Sequence, residues 1–357
     1  MSAAIPILNL YYLLTYAWDQ YQPGEAREIG AEDCPDVENL FAVMLSGGLR
    51  QLARRGMDRD YIPHTEETSR LRGKLHLMES VRRQTPLAGR MICSFDDLSS
   101  DVLHNQILKS TALSLLKRDE LTQENRKELR HALEPLAQVR EIRLSGQMFR
   151  RVQLHRNNRI YRFLLGLCEL VQRLVMPADH RGGERIVDLL RDEVIMHSLF
   201  EKFVRNFAVR HCHDATVGAK AVQWSVEAED SALARLPVMF TDITLDWPDR
   251  KLIVDCKYYA EAMSSHHGAS KLKSENLYQL LAYLKNQSEL PDWESVEGLL
   301  IYPTNGASFD LKYRLLGNPV RAATLDLNQP WEAIHKQLTG LLCDGEASLL
   351  NDNPSRE

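Results

Sequence analysis

The chain has 357 residues, of which 44% are hydrophobic and 26% are charged, and its formal net charge is −5 at pH 7. The length suggests about two domains, and the composition is typical of a globular protein with a hydrophobic core. A chain of this charge does not attract DNA by its overall field, and no apolar run approaches the roughly 20 residues of a membrane-spanning helix. We therefore expect a cytoplasmic protein that makes no membrane contact.

The N-terminal half predicts helices on either side of a region of alternating residues. The apolar N-terminus (1–20) lacks the basic residues and the cleavage site of a signal peptide, so we interpret it as a helix capped by Asn9. Ser99 is the predicted cap of a second helix, and residues 70–81 alternate as strands do. Another helix is predicted over residues 158–176.

An arginine-rich segment spans residues 140–162, where seven arginines stand against a single acidic residue, Glu141. One interpretation is a solvated strand-and-helix pair at the surface. The other is a docking face for phosphates or for an acidic partner. The sequence leaves both open.

A linker is predicted at residues 176–185 (MPADHRGGER), which combine proline, two glycines and charges. It divides the chain into an N-terminal domain (1–178), a C-terminal domain (179–350) and a frayed tail (351–357). The C-terminal half then predicts helices and strands in this order: a helix over 185–210, strands over 220–258, a helix over 274–287, strands over 297–303 and 309–316, and a helix from 330. This order predicts an α/β fold with a mixed sheet flanked by helices, preceded by a mixed α+β domain.

The six cysteines of the chain are scattered without a C-x-x-C pair. This pattern predicts reduced thiols rather than a disulfide framework or a zinc site. The stretch HCHD (211–214) carries groups that can bind a metal, but no second cluster accompanies it.

A β-hairpin is predicted around the turn Trp247-Pro-Asp-Arg250. If the turn centres on Pro248 and Asp249, Asp246 faces Lys251 and Asp242 faces Asp255. The same register gives the hairpin one apolar face, formed by Met239, Ile243, Leu245, Leu252, Val254 and Cys256.

The two facing acids, Asp242 and Asp255, need an explanation because neighbouring carboxylates repel each other. A divalent cation is the economical one, since magnesium is held by one or two carboxylates together with substrate phosphate oxygens. Lys257 lies on the same face, where an amine could position a water or offset developing negative charge. Two alternatives stay open: an Asp and a Lys two apart also form surface salt bridges, and a turn of different length would separate the acids.

Two helices and a loop add candidate residues. Gln279 and Tyr283 are four apart and share a helical face, although Tyr283 could equally belong to the core. Glu201 lies in a polar stripe of the helix before the hairpin, either as a metal ligand, directly or through water, or as the surface partner of Arg205. The loop 261–273, with two histidines and two lysines, either meets a phosphate backbone or is a polar connection.

These residues, in this order, resemble the PD-(D/E)xK nuclease superfamily. More narrowly, the chain resembles the McrC family, the nuclease subunits of McrBC modification-dependent restriction systems. The resemblance covers nearly the whole chain and rests on these stretches: IPILNLYYLLTYAW (5–18), QLARRGMDRDY (51–61), LRGKLHLMESVR (71–82), FDDLSSDVLHNQILKST (95–111), FTDITLDWPDRKLIVDCKYY (240–259), NLYQLLAYL (276–284) and GLLIYP (298–303).

The resemblance implies a magnesium-dependent endonuclease in the C-terminal domain, with a PD-(D/E)xK-type sheet. Asp242, Asp255 and Lys257 match the family's metal- and water-handling positions, and the main-chain carbonyl of Cys256 is implied as a further ligand. Glu201 matches less securely. Thr241 stands before the first acid, where the superfamily pattern has proline.

The resemblance also implies a partner. The N-terminal half would dock into a hexameric AAA+ GTPase, McrB, and stimulate its GTP hydrolysis, so that GTP is used by the partner and not by this chain. The partner would recognise modified cytosine in DNA, which fits a nuclease that carries net negative charge.

Two other functions stay open. A RecB-like exonuclease that acts alone also uses D…D-x-K…Q-x-x-x-Y, but such enzymes often hold an iron–sulfur cluster on four cysteines, and no suitable set surrounds this core. A non-catalytic GTPase activator would not need the acidic pair and the lysine.

Overall fold

A computed structural model gives the fold. It describes residues 5–20, 30–154, 158–177, 184–186, 189–226, 229, 232, 235–259, 263–266, 269–288, 296–304 and 308–343. The chain forms two compact units, an N-terminal unit (Pro35–Arg185) and a C-terminal unit (Met1–Cys34 with Ile186–Glu357). The predicted boundary at 178/179 and the predicted frayed tail lie outside the described residues.

The first helix, α1 (Ile7–Ala17), belongs to the C-terminal unit and not to the predicted N-terminal domain 1–178. Its Tyr16 hydroxyl lies 2.8 Å from His211 Nε2, and its last carbonyls accept hydrogen bonds from Asn206. Asn9 is not the helix cap, which is Pro6. Its side-chain amide instead donates to the carbonyls of Leu327 and Gln329, more than 300 residues away, and local sequence cannot reveal such a contact.

The N-terminal unit consists of helices and a three-stranded antiparallel sheet of order β1-β3-β2. Its elements are α2 (Val37–Arg55), β1 (Asp60–Thr68), β2 (Lys74–Leu75), α3 (Leu77–Arg82), β3 (Met91–Ser99), α4 (Leu103–Leu116), α5 (Gln123–Ala132), α6 (Gly146–Arg151), α7 (Arg159–Leu174) and β4 (Val175–Pro177). Helices α2, α4 and α7 pack against one another, which buries their apolar stripes.

Three predictions for this unit need correction. Residues 70–81 form the short β2 and then α3 rather than strands alone. Ser99 does not cap α4, whose cap position is Val102; the Ser99 hydroxyl accepts a hydrogen bond from the Asp101 amide instead. In the described part of residues 140–162 there are two helical stretches and no strand. Within it, Arg140 pairs with Asp101 at 2.5 Å.

The C-terminal unit is built on a six-stranded mixed sheet of order β14-β15-β13-β10-β9-β6. The strand β5 (Glu184–Ile186) spans the boundary between the two units in the sequence. Besides α1, the elements of the C-terminal unit are α8 (Glu193–His211), β6 (Thr216–Gly218), β7 (Ala221–Val222), β8 (Met239–Phe240), β9 (Ile243–Asp246), β10 (Lys251–Cys256), β11 (Met263–His266), β12 (Ala269–Leu272), α9 (Ser274–Ser288), β13 (Val296–Pro303), β14 (Asp310–Leu315), β15 (Asn318–Leu325) and α10 (Trp331–Leu342).

The three central strands of this sheet, β10, β13 and β15, are parallel, and the outer pairings are antiparallel. Helices flank the sheet: α9 packs on β13 and β10, α8 contacts β10, and α10 contacts β15. The predicted α/β class and its mixed sheet are therefore confirmed. The strand β15 was not predicted, and α8 begins at Glu193 rather than near residue 185.

One face of the sheet packs against α9 through a buried cluster that includes Ile253, Leu280, Leu284 and Leu300. Gly298 permits this close approach, because a Cβ atom there would lie 2.9 Å from both Leu280 and Leu284 side-chain carbons. Burying this apolar surface, on the order of 2 kcal/mol per large side chain, fixes α9 over the carboxyl end of β10.

Two cysteines form a disulfide, Cys212–Cys343, which corrects the prediction that all the thiols are reduced. The 131-residue separation hides the pair in the sequence, and it forms where the ends of α8 and α10 meet. The other cysteines (Cys34, Cys93, Cys168 and Cys256) are buried and form no disulfide. Within the described residues, no helix is long and apolar enough to cross a membrane.

Candidate active site

The hairpin of β9 and β10 has the predicted register. Lys251 pairs with Asp246, and the ladder ends at Val254 opposite Ile243. The amide of Trp247 donates to the carbonyl of Arg250 at 2.8 Å, which closes the turn at the predicted place. The ion pair of Lys251 with Asp246, at 2.5 Å, is confirmed as well.

Asp242 lies one residue before β9, at the position that continues the ladder toward Asp255. Its Oδ2 accepts a 2.9 Å hydrogen bond from the backbone amide of Cys256. This bond joins Asp242 to Cys256, the residue that follows Asp255. One predicted neighbour is misplaced: a bend before β9 separates it from β8, so Met239 packs in the Ile253 cluster rather than with Leu252 and Val254.

Asp255 ends the buried run of β10 and is itself 0% exposed. Lys257 Nζ lies 2.9 Å from its Oδ2, close enough for an ion pair, yet neither carboxylate oxygen has a well-aligned hydrogen-bond partner among the described residues. Burial, reinforced by the charge of Asp242 and opposed by Lys257, raises the pKa of the Asp255 carboxyl to about 7. A buried carboxylate with an acid beside it needs compensating positive charge, which makes Asp255 a candidate cation ligand.

Lys257 contacts both the acid Asp255 and the helix α9. Its amide donates to the Ile301 carbonyl of β13, and its Nζ donates to Gln279 Oε1 at 2.8 Å. Gln279 Nε2 in turn donates to the Tyr283 hydroxyl at 2.8 Å. Burial lowers the pKa of Lys257, but the charges of Asp255 and Asp242 outweigh it and the net shift is upward. The amine is therefore protonated at neutral pH.

Glu201 comes from α8, one turn before Arg205. The two side chains form an ion pair, and Arg205 also donates to the main-chain carbonyl of Asp242, at 2.7 Å from Nη2 and 3.2 Å from Nε. Burial and the charge of Asp242, opposed by Arg205, raise the pKa of Glu201. Arg205 thus holds the main chain of Asp242, while the Cys256 amide holds its carboxylate. The sequence singled out Arg205 only as the surface partner of Glu201.

The residues present fit a divalent metal only in part. Among the described residues, no three His, Cys, Asp or Glu side chains are placed to hold a metal ion together, so Glu201 does not complete a carboxylate triad. Asp242 and Asp255 remain as a pair, which matches the one or two carboxylates that magnesium usually takes from a protein. Burial raises the pKa of the Cys256 thiol well above its ordinary value, so only its main-chain carbonyl is a suitable ligand.

A polar network missed by sequence reasoning lies beside the site. The Tyr259 hydroxyl donates to Asn276 Oδ1 at 3.2 Å, and Asn276 Nδ2 donates to the Tyr302 hydroxyl at 3.0 Å. Lys273 Nζ lies 3.5 Å from the centroid of the Tyr259 ring. The predicted loop 261–273 contains an antiparallel ribbon of β11 and β12. The side chains of residues 263–271 lie outside the described residues.

A mixed α/β sheet that sets two acids and a lysine at the end of adjacent strands defines a protein with a candidate acid–lysine catalytic centre. Comparisons with known proteins narrow this class. A family model described as the McrBC 5-methylcytosine restriction system component matches residues 9–303. The type IV methyl-directed restriction enzyme EcoKMcrBC of Escherichia coli (strain K12) is 33% identical over 337 residues, which are 94% of this chain and 96% of that protein.

The chain therefore belongs to the McrBC 5-methylcytosine restriction system component family, and it is a component of a restriction system. The fold agrees. A chain of the refined half-complex from the tetradecameric assembly of Thermococcus gammatolerans McrB AAA+ hexamers with bound McrC is similar with a TM-score of 0.55. The match has 19% sequence identity and covers 93% of this chain and 74% of that one.

Proposed function

We propose that this chain is the nuclease subunit of a GTP-dependent restriction complex and that it hydrolyses phosphodiester bonds in DNA containing modified cytosine. The observation that carries the proposal is the continuous set of contacts from Asp242 to Tyr283. Two acids, a protonated lysine, a glutamine and a tyrosine meet at the carboxyl end of β10. This is the order and placement that the PD-(D/E)xK resemblance implies.

Asp242 and Asp255 are the residues that would hold magnesium, together with the Cys256 carbonyl. Glu201 would contribute through water, because Arg205 already engages its carboxylate. Bound magnesium supplies positive charge at the phosphoryl oxygens and lowers the pKa of water. Neither oxygen of the fully buried Asp255 has an aligned hydrogen-bond partner among the described residues, and Lys257 is one cation against the two acids Asp255 and Asp242. This supports the assignment, since buried carboxylates need compensating charge.

Lys257 acts as a cation and a donor rather than as a general base. Its raised pKa keeps it protonated at neutral pH, and its amine lies between Asp255 and Gln279. An ammonium fixed there orients a water or offsets the charge that develops on the phosphate in the transition state. Gln279 holds the amine in place, and Tyr283 fixes the amide orientation of Gln279.

The N-terminal unit is proposed to dock into a hexameric McrB-like AAA+ GTPase and to stimulate its GTP hydrolysis. The exposed apolar side chains of the three-stranded sheet and the segments next to it in the chain support this role, because exposed apolar groups are frequent at protein interfaces. They are Tyr61, Leu71, Leu75, Leu77, Met78, Val81, Leu87 and Leu98. Met78 and Leu87 are the most exposed of these, at 84% and 87%.

Reconstitution tests the proposal. The chain, its cognate GTPase, GTP and magnesium are mixed with a cytosine-methylated plasmid, and cleavage is followed on a gel. Cutting is expected only when both proteins, GTP and magnesium are present. Cutting by this chain alone would favour the RecB-like exonuclease. GTPase stimulation without cutting would leave it a non-catalytic activator.

A further inference from the structure

We propose that Lys273 positions DNA in the site. Its amine binds a backbone phosphate that neighbours the hydrolysed phosphate on the same strand. The inference rests on the proposed function, since it assigns the substrate contact of the same site. It rests on the hydrogen-bond network of Tyr259, Asn276 and Tyr302. This network has no part in the roles proposed above for the acids, Lys257 and Gln279.

Asn276 orients both the main chain and the side-chain amine of Lys273. The Asn276 amide donates to the Lys273 main-chain carbonyl at 3.2 Å, at the start of α9. Asn276 is 4% exposed, and its side chain accepts a hydrogen bond from the Tyr259 hydroxyl and donates one to the hydroxyl of the fully buried Tyr302. The ring of Tyr259 is thereby held as the surface over which the Lys273 amine lies, 3.5 Å from its centroid. Such a cation–π contact orients the amine without neutralising it.

The network adjoins the candidate active site through the chain itself. Tyr259 follows Lys257 by two residues, and Tyr302 follows Ile301, whose carbonyl accepts the Lys257 amide. Asn276 precedes Gln279 by one helical turn on α9. Lys273 therefore lies beside the catalytic centre and not at a remote surface.

The acidic side chains of the site repel a DNA phosphate, so a phosphate that binds there requires a nearby cation. Asp242, Asp255 and Glu201 surround it with acids, and the Lys257 amine already contacts Asp255 and Gln279. Lys273 makes no ion pair within the described residues, so its charge remains for an external anion. The anion that a DNA nuclease brings there is a backbone phosphate.

The test compares Lys273→Gln with wild type in two assays. In the first, the full chain binds a short fluorescein-labelled duplex over a series of KCl concentrations, without magnesium. In the second, the reconstituted complex cleaves methylated DNA, and kcat and KM are measured. Lys285→Gln is the matched control, since Lys285 is an exposed lysine in the last turn of the same helix.

Loss of one phosphate contact is expected to weaken binding roughly tenfold at low salt and to reduce the slope of log K against log salt by about 0.9. KM should rise while kcat changes less than about twofold, because the contact is made to substrate and transition state alike. Tyr259→Leu should behave as Lys273→Gln does, because the ring that orients the amine is lost. Tyr259→Phe removes only the hydroxyl that Asn276 holds and should give a smaller loss of binding than Tyr259→Leu. Lys285→Gln should change neither value.

An unchanged slope and KM for Lys273→Gln would overturn the inference, and so would a loss confined to kcat. The binding assay separates the two proposals. If wild type does not cleave but Lys273→Gln still lowers the salt slope, the nuclease assignment fails while the phosphate contact stands. If wild type cleaves and Lys273→Gln matches it in both assays, the nuclease assignment stands and the phosphate contact fails.

Discussion

Asp242 and Cys256 are joined by a 2.9 Å hydrogen bond from the backbone amide of Cys256 to the side-chain carboxylate of Asp242. The bond crosses the hairpin just beyond the last paired residues of β9 and β10. It brings Asp242 to the carboxyl end of β10, where Asp255 and Lys257 lie. One backbone contact thus assembles three candidate catalytic residues from two segments of the chain.

Asp255→Asn tests the cation site. The amide keeps the shape of the side chain but removes the charge, so cleavage should fall by roughly 10²–10³-fold. Because Asp255 is fully buried, the melting temperature without magnesium should stay the same or rise. Magnesium should raise the melting temperature of wild type and not of the variant, since only a folded site binds it.

Asp246→Asn is the matched control for this change. Asp246 lies in the same hairpin but pairs with Lys251 and Lys220 instead of facing the site. Its loss should lower the melting temperature slightly and leave the magnesium-dependent rise intact. An equal magnesium effect in Asp255→Asn and wild type would exclude Asp255 as a ligand.

Gln279→Leu tests whether Gln279 positions Lys257, the proposed catalytic lysine. The substitution removes the acceptor 2.8 Å from Lys257 Nζ, so the amine is held by Asp255 alone. Loss of a group that orients a catalytic side chain typically costs about 10- to 100-fold in activity. We expect that loss in kcat, with binding of DNA unchanged. Tyr283→Phe removes only the outer hydrogen bond and should cost less; a larger loss than in Gln279→Leu would contradict this order.

The sequence alone predicted the part of the site that depends on local geometry. The turn from Trp247 to Arg250 sets the register of the hairpin, and the alternation of a strand places Asp255 and Lys257 on one face. The spacing of Gln279 and Tyr283 follows from one helical turn. Contacts between distant elements could not be predicted, because nothing local encodes them. Examples are Arg205 on the Asp242 carbonyl and the Asn276 hydrogen bond to Tyr302.

The same limit explains the errors in the fold. Asn9 is a good helix cap by composition, yet its amide binds carbonyls near residue 328 instead. The cysteine spacing predicted free thiols, but α8 and α10 bring Cys212 to Cys343. The assignment of the first helix to the N-terminal half failed for this reason too. In each case tertiary packing overrides a sound local pattern.

Stability should depend on pH through His211. Burial, with His335, Arg210 and His213 adding to it, lowers the pKa of His211 from 6.5 to about 4. The unfolded chain therefore binds more protons than the folded chain between these pH values. The contribution of neutral His211 to the free energy of unfolding is fully present above about pH 6.5 and is lost as the pH falls toward 4. Melting temperatures measured across this range should fall less steeply for His211→Gln. Parallel curves would show that His211 does not contribute.

The disulfide gives a redox prediction. Closing a loop of 131 residues limits the unfolded chain, which in the chain-entropy model stabilises the fold by about 3–5 kcal/mol. Reductant should therefore lower the melting temperature of wild type and not of Cys212→Ser. Thiol titration of the denatured, unreduced protein should find four free thiols of the six cysteines. Six free thiols would contradict the pairing.

The most direct measurement is DNA cleavage by the complex that contains Lys257→Ala, beside wild type and the exposed-lysine control Lys285→Ala. Methylated plasmid, magnesium, GTP and the cognate GTPase are present, and GTP hydrolysis is recorded in the same samples. We predict that Lys257→Ala abolishes cutting and retains full stimulation of GTP hydrolysis. The control Lys285→Ala should cut DNA and stimulate GTP hydrolysis as wild type does. Equal cutting by Lys257→Ala and wild type would contradict the account and would place the active site in another chain.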